Sequence, residues 1–349
     1  MTVREPNTVF QSRKWLLLVT GATFLSVLPH LVDDYVTHCL IMIFLFAFFG
    51  LAWDLCGGHA GLFSLGHAGF VGIGAYASAW LFTECGTSPW LGMLAGGALA
   101  VSFSLVLGYL SFRCRLAGAF FALATIAFAE ILRMATENIG LLKGAQGILI
   151  PFRGNSLWHL QFDSKPPFYY LSLLMMIFMA AAIRVIQGSR LGYLLHAIRE
   201  DEEAARALGV DPTRPKLTAL ALSAFFTAWG GSFYAHYLMF IQPSSVLSIP
   251  MSVEIIARPI IGGMGTVLGP LLGSFLLGGL AEVTRLFFGS EGRPGIHLVV
   301  YGALIVIVVR FAPGGVLSWG RAAWSAGRRS PSQAARCETR SSETGSHGK

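Results

Sequence analysis

The sequence predicts an all-α protein that crosses a membrane about ten times. Three observations carry that expectation. Of 349 residues, 54% are hydrophobic and only 12% are charged, about half the charge of an ordinary soluble domain. Apolar segments of the roughly 20 residues needed to cross a bilayer recur from one end of the chain to the other. Lys and Arg are shared unevenly between alternate connections, as happens when a bilayer sorts them.

The expected spans are 15–32, 35–56, 57–82, 89–111, 117–136, 168–187, 217–240, 248–264, 266–288 and 295–311. The first follows Arg13-Lys14, exceeds a signal-peptide core and lacks a small-x-small cleavage site. It therefore reads as a retained span behind an N-terminal segment 1–14. The spans at 57–82 and across 248–288 hold enough Gly and Pro to be broken or re-entrant. With the N-terminus inside, the inner connections hold 18 of the 25 Lys and Arg, and the outer ones six. Both termini are expected in the cytoplasm on that count. The same sorting accounts for the net charge of +7 without a basic face for nucleic acid.

Two connections are substantial. The outer loop 137–167 carries Gly144, Gly147, Pro151, Trp158, Pro166 and Pro167 and reads as an ordered cap. The inner loop 188–216 contains SRLGYLLHAIREDEEAARALG, a helix former ended by Gly209 with Pro212 and Pro215 beyond. The membrane domain so defined covers 15–311. The tail 312–349 is expected to be largely disordered, its end being rich in Ser, Gly, Arg and Glu without apolar period.

Seven glycines lie between Gly57 and Gly74. Glycine this dense either lets helices approach closely or lets one break, and a break at membrane depth is tolerated only where it lines a cavity or is buried in protein. A second cluster, Gly262-Gly263-Met264-Gly265-Thr266, occupies the corresponding place in the C-terminal half. Paired interruptions of this kind mark a transport path. Candidate path residues are Gly57, Gly58, His59, Ser64, Gly66, His67, Gly69 and Thr125 on one side, and Gly262, Gly263, Gly265 and Thr266 on the other. His59 and His67 lack a third ligand at suitable spacing, so no metal site is expected and backbone hydrogen bonding near a break fits them better.

Glu254 and Arg258 stand i,i+4 inside an apolar run and can neutralise each other, with Pro259 favouring a kink next to them. Glu130, with Arg133 and Glu137 following, fits a side chain snorkelling to the interface. Asp54 counts only as one more boundary charge. Cys39, Cys56, Cys85, Cys114 and Cys337 are scattered and form no disulfide or zinc spacing. No phosphate loop, His-Glu-x-x-His or Gly-x-Ser-x-Gly motif occurs. Neither catalytic residues nor a cofactor are expected.

Several stretches together resemble the LivM-type permease subunits of branched-chain amino acid ABC transporters, over about 35–320: GGHAGLFSLGHAGFVGIGAY (57–76), FALATIAFAEILR (121–133), the inner loop (188–210), KLTALALSAFFTAWGGSFYA (216–235), IGGMGTVLGPLLG (261–273) and RFAPGGVLS (310–318). The resemblance implies the permease fold of an ABC importer in a bacterial inner membrane. It further implies a second homologous permease subunit, two cytoplasmic ATPase subunits that consume the ATP, and a periplasmic substrate-binding protein. It maps a coupling element for the ATPase onto Glu203, Ala204, Ala205 and Gly209, with Arg199, Glu200 and Glu202 beside them. The chain departs from the family at Leu62, at Leu141–Ile148 and at Arg258-Pro259. Those departures bear on the substrate, since relatives also carry urea, amides or aromatic acids. A proton-coupled secondary transporter using Glu254 and Arg258 or Glu130, and an intramembrane enzyme using His59 and His67, are the rival readings.

Overall fold

The computed structural model describes residues 27–114, 116, 118–288 and scattered positions between 299 and 317. The expected segment 1–14, most of the first span 15–32, most of the last span 295–311 and nearly all of the tail 312–349 lie outside the described residues.

Helix α1 (Asp34–Asp54) is apolar on every side and buried along most of its length, which makes it the axis of the bundle. It ends in a π-helical turn, Leu55–His59, after which the chain is irregular as far as Gly66 before α2 (His67–Cys85) begins. The expected span 57–82 is therefore broken, with the break in its first third. Helices α3 (Pro89–Arg113) and α4 (Ala119–Asn138) follow, the first opening on Pro89 at a position where a missing N–H costs nothing. Helix α5 (Pro166–Gln187) starts the same way.

The single helix expected for the inner loop is in fact two, α6 (Arg190–Glu200) and α7 (Glu202–Ala207). The reason is local: Asp201 takes an extended backbone, and its carboxylate accepts from Glu203 N (2.9 Å) and Ala204 N (3.0 Å). Capping a new helix start satisfies two donors that a continuous helix would have used otherwise. Helix α8 (Thr213–Leu238) returns through the bundle.

Strand β1 (Ile148–Leu149) pairs antiparallel with β2 (Phe240–Ile241), so the 139–165 loop is fastened to the end of α8. A short helix α9 (Pro243–Val246) and then α10 (Ile249–Gly262) make one interrupted segment. Its interruption lies within the bundle: Leu247 presses on Gly72, partway along α2, where a Cβ would come within 2.1 Å. Helix α11 (Leu268–Phe288) completes the described bundle.

Two groups of helices pack on each other. Helices α2, α3 and α8 form one, and α1, α5, α10 and α11 the other, with α1 also touching α8. Helices α2 and α8 run parallel and very close: a Cβ on Gly74 would lie 1.9 Å from the Ala228 carbonyl, and one on Gly231 2.2 Å from that of Val71. Small residues allow backbones to approach where apolar burial alone cannot drive association. Among the described residues, α3, α4, α5, the α1 segment through His59 and the α9–α10 segment are long and apolar enough to cross a membrane. Helices α2 and α8 are enclosed by others and carry Gly, Ser, Thr and His that a lipid-facing helix would not.

Candidate functional site

The break between α1 and α2 is held by side chains from four helices. Trp53 of α1 donates from Nε1 to the Ser64 carbonyl (2.7 Å), and its ring fills the space that makes Gly57 necessary, a Cβ there falling 2.4 Å from it. Thr125 of α4 accepts from Leu65 N (2.9 Å) and donates to the Ala122 carbonyl (2.7 Å). Gly66 lies so close to the Thr125 carbonyl that a Cβ would approach to 2.0 Å. Ser252 of α10 accepts from Ala68 N (3.0 Å). Ser223 of α8 spends its only hydrogen on the Ala52 carbonyl (2.7 Å), so His67 Nε2 must be the donor to Ser223 Oγ (2.8 Å). His67 Nδ1 then accepts from Ser64 Oγ (3.0 Å). His67 is a neutral strut, fully buried, with both nitrogens in use.

Four of the motifs that are far apart in the sequence meet at the foot of α1. Asp54 is fully buried there, and one of its oxygens accepts from Gly265 N (2.8 Å). Gly58 packs against it, with room for no Cβ: that atom would sit 2.0 Å from Asp54 Oδ1. Arg199, at the end of α6, donates through Nη1 to the Gly58 carbonyl and lies against Gly61 and Gly265. Gly315 (φ +77°), from the 310–318 stretch, touches the backbone of Gly262 and Gly263. His59 accepts at Nε2 from Gln187 Nε2 (2.6 Å), so its Nδ1–H donates to the Asp54 carbonyl (3.0 Å).

The structure thus separates the candidate path residues. Gly58, His59 and Gly265 meet Arg199 at one place, whereas Ser64, Gly66, His67, Gly69 and Thr125 serve the break above it. Thr266 caps α11, accepting from Gly269 N (3.0 Å). Gly262 permits the turn between α10 and α11, since a Cβ would overlap the Gly269 carbonyl at 1.7 Å. Sequence reasoning passes over Asp54 and Gln187. A carboxylate three residues before a glycine pair in an apolar run is the available signal for the first; nothing local marks the second.

The remaining coupling candidates form an exposed surface. Glu202 accepts from Arg206 Nη2 (2.7 Å) and from Lys216 Nζ. Burial raises its carboxyl, but these two cations outweigh it and leave Glu202 below the ordinary glutamate range. Glu203 joins them around a cavity of about 350 Å³ between α7, the foot of α3 and the start of α8, with Phe112 and Leu116 as its apolar wall. Ala205 is buried beneath, Glu200 is exposed, and Gly209 (φ +84°) ends the loop's second helix by donating to the Arg206 carbonyl (2.9 Å).

Glu254 and Arg258 do pair, at 3.9 Å, with the Arg258 guanidinium over the Phe46 ring at 3.9 Å. The arrangement fastens α10 to α1. Helix α10 runs on through Pro259 and ends three residues later. Glu130, Arg133 and Glu137 form their own network on α4. Among the described residues, no three His, Cys, Asp or Glu side chains gather as metal ligands.

A family profile described as branched-chain amino acid transport system / permease component matches residues 35–309. The high-affinity branched-chain amino acid transport system permease protein LivM of Salmonella typhimurium is 28% identical over 316 residues, 84% of this chain and 72% of that protein. Its namesake from Escherichia coli is 28% identical over 329 residues, 88% and 75% of the two chains. The ribose import permease protein RbsC of Haemophilus influenzae is 24% identical over 143 residues, 40% of this chain and 43% of that one. No solved structure matches.

Proposed function

The chain belongs to the branched-chain amino acid transport system permease family, a multi-pass membrane component rather than an enzyme, and from that premise we propose that it is one permease subunit of an ATP-driven importer of branched-chain amino acids. Both termini lie in the cytoplasm of a bacterial inner membrane. A second homologous permease pairs with it, two ATPase subunits dock on the cytoplasmic side with the coupling element of the 188–216 loop in a cleft of the ATPase, and a periplasmic binding protein delivers the solute. No cofactor is held by this chain.

One observation supports the coupling role above others. Arg199 reaches from the exposed loop to the carbonyl of Gly58 and the flank of Gly265, so one side chain touches both interrupted segments. Movement of α6 by a docked ATPase is thereby passed to the two places where the bundle is not continuous helix. Tyr193 and Leu208, 70% and 85% exposed on the same loop, are apolar surface that such a partner would cover.

Uptake of labelled leucine by vesicles holding the full set of subunits tests the reading. Uptake is expected to need ATP and the ATPase, and to be displaced by isoleucine and valine. Ribose belongs among the competitors because the match to a ribose permease makes a sugar the second reading. Uptake by this chain without any ATPase would instead establish a secondary transporter.

A further inference from the structure

We infer that Arg133, Glu130 and Glu137 of α4 form the site in the transport path that takes the carboxylate and the ammonium of an amino acid, an inference resting on the import reading above. Glu130 is the twelfth of the twenty residues of α4. Its depth follows from the register of α4 on α2. A Cβ on Gly66 would meet the Thr125 carbonyl, and one on Gly69 would lie 3.4 Å from Ala129, so Glu130 is level with the first turn of α2. From there α2 continues sixteen residues to Cys85, about 24 Å at 1.5 Å per residue. A glutamate side chain does not span that distance, so the snorkelling expected of Glu130 does not occur, and the carboxylate is paired instead. Arg133 donates from Nε to both Glu130 oxygens (3.0 and 3.1 Å), from Nη2 to Glu130 Oε1, and from Nη1 to Glu137 Oε1 (2.5 Å).

The network is not enclosed: the three side chains are 25–32% exposed. Phe128 packs on Phe70 and Phe103, which marks the flank of α4 turned to α3. Glu130, two residues on, stands about 200° around the helix from it and faces away. Charged groups at mid-span avoid hydrocarbon and face water or one another. The open side of the network therefore borders a water-filled space, next to the break that Thr125 and Gly66 hold. A guanidinium carries five N–H hydrogens. Three go to the two glutamates, and the other two have no acceptor among the described residues. Glu137 Oε2 likewise accepts no hydrogen bond from them. One donor pair beside one acceptor is the complement of a single zwitterion: the N–H pair fits a carboxylate and the glutamate oxygens an ammonium. Ile126, half-buried one turn inward on the same flank, is apolar surface for an aliphatic side chain. A sugar supplies neither charge, so the site separates an amino acid from ribose.

The test uses the assembled transporter in proteoliposomes without ATP, with Ile126→Cys as the target of a small membrane-impermeant methanethiosulfonate and the chain lacking it as background. Ile126→Cys should label, and Ile131→Cys, on the exposed apolar face, should not. Leucine should slow labelling of Ile126→Cys in a saturable way, about tenfold at ten times its half-effective concentration. Isoamylamine and 4-methylpentanoate, each lacking one of the two charges, should not protect at that concentration, and neither should ribose. Arg133→Gln should still label, but its half-effective leucine concentration should rise about 10- to 100-fold, as for a lost hydrogen bond to a charged group. Arg133→Lys, which keeps the charge without the paired N–H edge, should fall between. Equal labelling of the two cysteines, leucine that fails to protect, or protection untouched by Arg133→Gln overturns the inference. So does labelling of Ile126→Cys only when the second permease is omitted, which would make the flank a subunit contact. Should Arg133→Gln fail to insert, Glu137→Gln decides, since it keeps the Glu130–Arg133 pair: leucine protection should weaken about tenfold, and unchanged protection overturns the inference. Leucine uptake without an ATPase would remove the import reading instead, and protection, measured without ATP, would still judge the site.

Discussion

Thr125→Val removes one hydroxyl and leaves the shape of the side chain. Two contacts go with it: the acceptor for Leu65 N at 2.9 Å and the donor to the Ala122 carbonyl at 2.7 Å. The carbonyl keeps its place in helix α4, so the loss falls on the Leu65 N–H. No water can enter beside it easily, because Gly66 already presses on the Thr125 carbonyl closely enough to exclude a Cβ. A buried donor left without a partner costs about 1–3 kcal/mol. Leu65 is half-buried, which places the expected cost toward the lower end. Thr125→Ser is the control. It keeps the hydroxyl and gives up one methyl group, worth about 0.8 kcal/mol. Denaturant unfolding of the purified protein, followed by tryptophan fluorescence, reads both variants, Trp53 being hydrogen-bonded to the same break. Thr125→Val should be the less stable of the two. If Thr125→Val matches the parent while Thr125→Ser is destabilised, the hydroxyl does not hold the break and the reasoning fails.

Two further outcomes concern the inner loop. Glu202 has a depressed carboxyl, so its pairing with Lys216 and Arg206 stabilises the loop at pH values above the ordinary glutamate range and is lost as pH falls through the lower folded-state value. Limited proteolysis between α7 and α8 should therefore accelerate below about pH 4, and Glu202→Gln should be cleaved faster at neutral pH with a flatter pH profile; an unchanged profile would count against the pairing. Gly209 has φ +84°, and a Cβ placed on it would meet nothing within 4 Å, so Gly209→Ala faces only backbone strain of about 1–2 kcal/mol. Amide exchange at Gly209 and Val210 should rise about 5- to 30-fold, with insertion and the bundle unaffected, and unchanged exchange would mean the loop end is not held in that conformation.

What can be read from the sequence is what depends on near neighbours. The Glu254–Arg258 spacing announces an i,i+4 pair, Gly209 announces a helix end, and the glycines of 57–74 announce a break. The second helix of the inner loop is also within reach, since Asp201 followed by two glutamates is a helix start as well as a helix interior. The long-range meetings are not. Asp54 and Gly265 are 211 residues apart, and Gly58 and Arg199 141. Each is a carbonyl, an amide or a single charged group whose partner is chosen by how helices stack, and no local pattern encodes that choice. His67 shows the same limit: its spacing from His59 invites one shared site, whereas the partners of the two rings do not overlap.

The two interruptions also differ in what holds them, and that difference bears on which one moves. Around the first, directional hydrogen bonds from Trp53, Thr125, Ser252 and the Ser223–His67 pair fix the backbone, and shifting it would strand several polar groups at once. The 263–267 turn is held chiefly by close glycine contacts to Gly58 and Gly315 and by one bond to Asp54; its Thr266 hydroxyl bonds lie within the turn itself. Contacts between glycines are short-ranged and carry little directional penalty when they part. The turn is accordingly the cheaper element to displace, and Arg199 lies against it at Gly265. A loop that moves Arg199 therefore acts on the weaker of the two interruptions while the stronger keeps α1 and α2 in place as the frame against which the turn opens.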